Sequence, residues 1–309
     1  MIDITLIGTS ALMPIPQRAL TAVLLTCGGH SILFDCGEGT QTAARKEGIS
    51  LMRTDIIALT HYHGDHIFGL PGLLQTMTNT EREEPLYIIG PAGLEEAMKP
   101  ILKLAYFTPY EINLLEIPAE GVRLAELIPG WAYEAKLSAF KTEHRVSSQG
   151  YVFTLSRAGK FQPEKAKALG VPINQWGVLQ KGQCVEVDGK IILPEQVLGE
   201  PRKGLKFVFT GDTAMCETLT EAAEGADLLI SEATYGVLEQ APHAVEHGRH
   251  MIFSQAAEVA KAAGVKELWL THYSQMIVDP QEYLPNATAI FPNTICGRDG
   301  MSTTLKFEE

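Results

Sequence analysis

The chain has 309 residues, 45% of them hydrophobic, and a mean hydropathy of +0.03, a globular composition able to fill one large domain or two smaller ones. A net charge of −12 and a pI near 5.3 argue against a surface built as a whole to hold polyanions. Five cysteines without a C-x-x-C pair exclude a disulfide framework and point to reduced thiols in the cytoplasm, and no apolar run is long enough to span a bilayer.

The N-terminus, MIDITLIGTSALMP, has no basic leader region and reads as a first strand rather than a signal peptide. Strands are predicted near 2–8, 21–27, 31–35, 56–60, 86–90, 132–141, 150–155, 206–210, 227–231, 267–271 and 302–307. Helical patterns lie near 39–47, 70–79, 92–105, 214–224 and 252–263; Ser254 is the expected cap of the last and Gly264 its stop. This alternation implies a layered α/β architecture with helices covering sheets.

Residues 156–205 differ from the rest and read as an arm inserted between core strands. They hold PEKAKAL, then VPINQWGVLQKGQ, then two short apolar runs joined by Asp188-Gly189, a strong hairpin signal. From Arg157 to Lys206, nine Lys/Arg stand against five Asp/Glu, a basic island in an acidic protein.

Three of the nine histidines and an aspartate crowd into HYHGDH, at His61, His63, Asp65 and His66. Imidazoles and carboxylates are the donors a zinc-like divalent ion takes. The apolar run DIIALT precedes this cluster, so its ligands leave a strand end. Asp212 in LKFVFTGD and His272 in ELWLTH also follow apolar runs, and His144 follows the 132–141 run. Seven donors are too many for one tetrahedral ion; they suit two ions about 3.5–4 Å apart, with Asp212 as the natural bridge. Asp35, at the end of SILFD, is either a support for a ligand imidazole or a turn residue with a local role.

These residues resemble the metallo-β-lactamase superfamily, and within it the ribonuclease Z family. The resemblance spans nearly the whole chain through FDCGEGTQ (34–41), HGDHIFGLPGLL (63–74), GPAGLEEA (90–97), EKAKALGVP (164–172), FTGDT (209–213), ADLLISEAT (226–234) and LTHYS (270–274). It implies a four-layer αβ/βα sandwich, a single domain over 1–309, with 156–205 as an arm that grips tRNA. It implies two zinc ions, with manganese or iron as other fits. His61, His63 and His144 would hold one, Asp65, His66 and His272 the other, and Asp212 would bridge them.

The implied activity is hydrolysis of the phosphodiester at the 3′ end of precursor tRNA by a cytoplasmic homodimer. Asp65 would act on the attacking water. Glu232 and His250 would protonate the leaving oxygen, leaving a 3′-hydroxyl on the tRNA. Three departures from the family pattern stand out: Ser231 replaces a histidine before Glu232-Ala233-Thr234, no Gly-Pro element follows GVP, and QMIVDP follows LTHYS in place of an Arg-Tyr pair.

The metal ligands alone do not separate this nuclease from a small-molecule phosphodiesterase or an arylsulfatase on the same scaffold; the arm, Glu232 and His250 favour the nuclease. A non-catalytic RNA-binding protein with a structural metal is disfavoured by the complete ligand set. His243, Glu246 and His247 also fit the H-x-x-E-H peptidase pattern, but Pro242 and Gly248 flank it and leave no continuous helix. Arg145 is a candidate phosphate contact. Trp131, Trp176 and Trp269 are expected in core or arm packing, His30 in an exposed turn, and Cys36 as a buried small apolar residue.

Overall fold

The computed structural model describes residues 1–118, 120–131, 134–240, 242, 247 and 249–308. His243 and Glu246 of the peptidase pattern, and the first two residues of the 132–141 run, lie outside these. Among the described residues, sixteen strands follow in chain order: β1 (Ile2–Gly8), β2 (Ala22–Cys27), β3 (His30–Phe34), β4 (Ile56–Ala58), β5 (Leu86–Gly90), β6 (Ile112–Glu116), β7 (Val122–Arg123), β8 (Ala135–Lys141), β9 (Gln149–Arg157), β10 (Val185–Val187), β11 (Lys190–Ile192), β12 (Arg202–Phe209), β13 (Leu228–Glu232), β14 (Leu268–Thr271), β15 (Thr294–Cys296) and β16 (Ser302–Leu305).

They form two seven-stranded sheets, β16-β1-β2-β3-β4-β5-β6 and β15-β14-β13-β12-β9-β8-β7, plus the small hairpin β10-β11. In the first sheet β3 to β6 run parallel, and in the second β12 to β15 do.

Side-chain alternation along each strand builds the layers. Phe207 and Phe209 point into the space between the sheets, where Phe34 packs at ring-centroid distances of 5.6 Å and 5.8 Å from them, while Val208 faces outward. Ile4, Val23, Ile56, Tyr151, Phe153 and Trp269 complete this central core. Outside the first sheet, the helix Leu94–Ala105 buries Leu94, Met98, Ile101 and Ala105, one face at helical spacing. Outside the second, the helix Phe253–Ala263 buries six residues against Val208, Leu229 and Leu268. The result is helix, sheet, sheet, helix, as expected.

Several boundaries differ from the sequence reading. The helix Phe253–Ala263 is capped by Ile252, whose N–H donates to Gln255 Oε1 at 3.0 Å; Ser254 lies inside the helix. Gly264 ends it as expected. The fourth strand stops at Ala58, not Thr60. β9 runs on to Arg157 and β12 begins at Arg202, so their ladder extends into both ends of the 156–205 segment and leaves 158–201 as the excursion. The sequence reading does not include β6, β7 and β15: all three are edge strands, two of them only two or three residues long, too short to show alternation.

Within the excursion, Ala166, Val171, Leu179, Val185, Ile192 and Val197 form a separate small core. Asp188 and Gly189 have φ of 50° and 75°, the two positive centres a type I′ hairpin requires. The neck is narrow: a Cβ on Gly159 would meet Gly199 O at 1.9 Å. Trp176 packs on Phe161 inside the excursion, and Trp131 and Trp269 are buried between the sheets, as expected. His30 is not a free surface side chain. It is half-buried, stacks on Trp131 at 4.8 Å and approaches Asp55 at 3.3 Å. Cys36 is fully buried, and burial pushes its thiol up to about 12.

Candidate metal centre

The carboxyl ends of the parallel strands of both sheets meet at one edge, the place where open α/β sheets present their ligand-binding groups. Asp35 follows β3, Thr60 and His61 follow β4, Asp212 follows β12, Glu232 ends β13 and His272 follows β14. His63 precedes the one-turn helix Gly64–Ile67, which carries Asp65 and His66. His144 comes from the turn between β8 and β9. Two bonds lace the sheets together beneath the site: Gln149 N–H to Thr60 O at 2.9 Å, and Tyr151 Oη to Leu59 O at 2.6 Å.

All seven predicted ligands converge here: His61, His63, His144 and Asp212 form one candidate metal-binding group and Asp65, His66 and His272 a second, while Asp212 also groups with His272 and His250. In the first group, His61 Nε2 lies 2.9 Å from His63 Nδ1, which lies 3.3 Å from His144 Nε2. Asp212 Oδ2 is 3.7 Å from His61 Nε2 and 4.0 Å from His144 Nε2. In the second, Asp212 Oδ1 is 3.4 Å from His66 Nε2 and 3.1 Å from His272 Nε2, while Asp65 Oδ2 is 3.7 Å and 3.6 Å from the same nitrogens. Bonds of roughly 2.0–2.2 Å to a tetrahedral ion would place its donors about 3.3–3.6 Å apart, close to these spacings.

The polar groups also fit a cation. His66 Nε2, His272 Nε2 and Asp212 Oδ1 are buried without a hydrogen-bond partner. Each such orphan costs about 1–3 kcal/mol if nothing binds it. Burial pushes His61, His63 and His144 below the usual imidazole range, His144 to about 4, so these rings are neutral with lone pairs to donate. Burial opposes charge on Asp212, but the His272 and His66 imidazoles overcome it and hold the carboxyl well below the usual range. Burial likewise opposes charge on His66, yet Asp212 and Asp35 push it well above its ordinary value. The carboxylates thus draw positive charge to this point, as a proton on His66 or as a cation bound in its place.

Asp35 supports a candidate ligand. Its Oδ2 lies 2.7 Å from His66 Nδ1, and Thr60 N–H donates to its Oδ1 at 2.8 Å. An Nδ1–H given to Asp35 leaves Nε2 as the lone-pair nitrogen facing the site. Two threonines that the sequence reading does not single out do similar work. Thr60 Oγ1 is 3.1 Å from His61 Nδ1, and Thr234 Oγ1 is 2.9 Å from His272 Nδ1 while donating to Glu232 Oε2 at 2.6 Å. Their one sequence signal is position: Thr60 directly precedes a ligand, and Thr234 lies two residues past Glu232.

Glu232 is buried, and its oxygens accept N–H groups from Thr213 at 2.7 Å and Met251 at 3.1 Å, so it cannot swing. Its Oε1 lies 3.0 Å from His250 Nδ1. Burial works against a charged His250, but the Glu232 carboxylate and its hydrogen bond win, with help from Asp212, and raise the imidazole to about 9. His250 is therefore a protonated group 4.0 Å from the shared aspartate. Arg145 is exposed beside His144.

A family model described as Anti-Pycsar protein Apyc1 matches residues 2–161, just over half of the chain. Ribonuclease Z of Lachnoclostridium phytofermentans is 44% identical over all of this chain and 99% of its own length. Ribonuclease Z of Agathobacter rectalis is 43% identical over the whole of both chains. The crystal structure of human tRNase Z, short form, superposes with a TM-score of 0.67 at 27% identity, over 99% of this chain and 100% of its own. The chain therefore belongs to the family covered by that model and, along its full length, to the ribonuclease Z family.

Proposed function

We propose that the protein is a metal-dependent endoribonuclease that hydrolyses the phosphodiester at the 3′ end of precursor tRNA, leaving a tRNA 3′-hydroxyl. The observation that carries this reading is the convergence of His61, His63 and His144 on one oxygen of Asp212 and of His66 and His272 on the other, with the His250–Glu232 pair beside them. His61, His63, His144 and Asp212 would hold one divalent ion, and Asp65, His66, His272 and Asp212 the other. Imidazole-rich donors favour zinc, and manganese or iron fits the same set. When bound, such ions supply Lewis-acid chemistry that acidifies water and neutralises charge on phosphoryl oxygens.

The chain's own residues do the rest. Asp65, held by Leu12 N–H at 2.8 Å, orients the attacking water and takes up its proton. The phosphorus–O3′ bond breaks as the new phosphorus–oxygen bond forms, so the leaving 3′-oxygen needs a proton. His250, its Nδ1 fixed by Glu232, supplies it; positioned acids of this kind contribute roughly 10²- to 10⁴-fold. Glu232 accepts backbone N–H groups and keeps the imidazolium in place through the step. The excursion 158–201, folded outside the main core and balanced at five Lys to five Asp/Glu, grips the tRNA body, with the excess positive charge on the strands at its base, at Arg157, Arg202, Lys203 and Lys206. Assembly as a homodimer belongs to the same reading and is checked by the mass in solution. The five cysteines are unpaired, in keeping with a reducing cytoplasm.

The test is a precursor tRNA with a 3′ trailer, incubated with metal-loaded protein, and the cut mapped. A single cut at the 3′ end of the tRNA body, with a 3′-hydroxyl on it and a 5′-phosphate on the trailer, is expected. Intact precursor alongside rapid cleavage of bis(p-nitrophenyl) phosphate would instead establish a small-molecule phosphodiesterase.

A further inference from the structure

We propose that Arg18, outside the ligand and proton-transfer sets, is a positioning residue for the second ligand group. It acts by clamping the backbone that carries His272. This rests on the metal-centre reading above and extends it to the segment 9–18, which crosses the edge of the cleft.

Arg18 is only 7% exposed, an expensive place for a permanent charge. No carboxylate forms a salt bridge with it among the described residues. Asp299, the nearest acidic influence, spends its oxygens on Thr9 Oγ1 at 2.8 Å and Ala19 N–H at 2.7 Å. Arg18 Nη2 donates instead to backbone: Ile277 O at 2.6 Å and Ser274 O at 3.4 Å. Its guanidinium carbon lies 5.5 Å from the centroid of the Tyr273 ring. It thus touches Tyr273 and Ser274, which follow His272 directly, and Ile277 three residues further on.

That grip has a reason. His272 has φ of 59°, a left-handed backbone that a histidine adopts only when its surroundings hold it there. Segment 9–18 does the holding. Tyr273 N–H donates to Thr9 O at 2.8 Å and Ala11 N–H donates to Tyr273 O at 2.9 Å. The same segment sends Leu12 N–H to Asp65 Oδ2, the oxygen that faces His272 Nε2. Both Asp65 and His272 belong to the second group. Among the described residues, no hydrogen bond from this segment reaches His61, His63 or His144. Loss of Arg18 is therefore felt by one ion and not the other.

The experiment is a titration of metal-free protein with Co²⁺, followed by visible absorption. Wild type should take up two ions in two steps, the second-group step being the one that His272→Ala removes. Arg18→Ala should weaken that step about 10- to 100-fold, the effect typical of a lost outer support, and leave the first-group step unchanged. Two steps as in wild type, or both weakened together, would overturn the proposal. Arg18→Lys keeps a buried cation with a single point donor; if the alanine variant does not fold, an intermediate weakening of the second-group step alone carries the test, and unchanged steps overturn it. Should wild type bind fewer than two ions, the metal centre itself falls, and this proposal with it.

Discussion

The cleft and the arm are built in opposite ways. In the cleft, the buried side chains are polar: Asp35, His61, His66 and Glu232 are at most 1% exposed and are tied to one another and to the backbone of both sheets. In the arm, the buried side chains are six small or medium apolar residues, while Ile173 and Ile191 are 74% and 68% exposed. The cleft is over-determined, so a single change there propagates. The arm hangs on a pinched neck with its own core, so it is separable from the chemistry. On the proposed reading, what fixes reactivity and what fixes substrate reach are in different places.

The sharpest way to break this contrast is at Asp212, the proposed shared ligand. Asp212→Ala removes a donor from both groups, and both metal uptake and cleavage of any phosphodiester should be lost. Metal analysis and a small-diester assay read this together, and retained uptake at either group would contradict the bridging role.

Next is the proton donor. His250→Ala should lower kcat roughly 10²- to 10⁴-fold with metal content unchanged. The pH profile sharpens the assignment. A general acid works only while protonated, so activity falls as pH rises through its pKa. Glu232 holds His250 up to about 9. Glu232→Gln removes the charge responsible, so the alkaline limb should move to lower pH; a limb that stays put would take His250 out of that role.

A smaller effect is expected one layer out. Asp35→Asn replaces the carboxylate behind His66 Nδ1 and should weaken metal affinity roughly 10- to 100-fold without unfolding the chain, read by competition with a chelator. Smallest of all is the effect of the arm on the chemistry itself. Replacing 160–200 by a short linker should leave cleavage of bis(p-nitrophenyl) phosphate near wild type. Binding of folded tRNA should weaken, with a flatter dependence on salt as phosphate contacts are lost. If both activities fall together, the arm is a folding element and the contrast fails.

The same contrast explains what could be read from the chain before its fold was known. The candidate ligands were legible because histidine and aspartate are rare here, because four of them crowd into HYHGDH just past the β-branched run DIIALT, and because Asp212, His272 and His144 each follow a predicted strand. The layered architecture followed from strands and helices alternating at lengths that show their period. Thr60, Thr234 and Arg18 were not legible: whether Thr60 meets His61 Nδ1, Thr234 meets His272 Nδ1 and Arg18 meets the carbonyl of Ile277 is decided by the folded geometry, and a threonine or arginine carries no mark of such a contact. The boundaries of β9 and β12 were misplaced because Arg157, Arg202 and Lys203 look like loop residues, yet they extend a ladder whose exposed end accepts charge. The cap at Ile252 was missed for a related reason. The donor is its backbone N–H and the acceptor is the side chain of Gln255, so the cap residue's own side chain is irrelevant.

The most direct test of the whole account is the metal content of purified, active protein, measured by elemental analysis beside its rate on a phosphodiester. Two divalent ions per chain, with activity lost on chelation and restored on their return, is the predicted result. Full activity in protein holding far less than one ion per chain would contradict it.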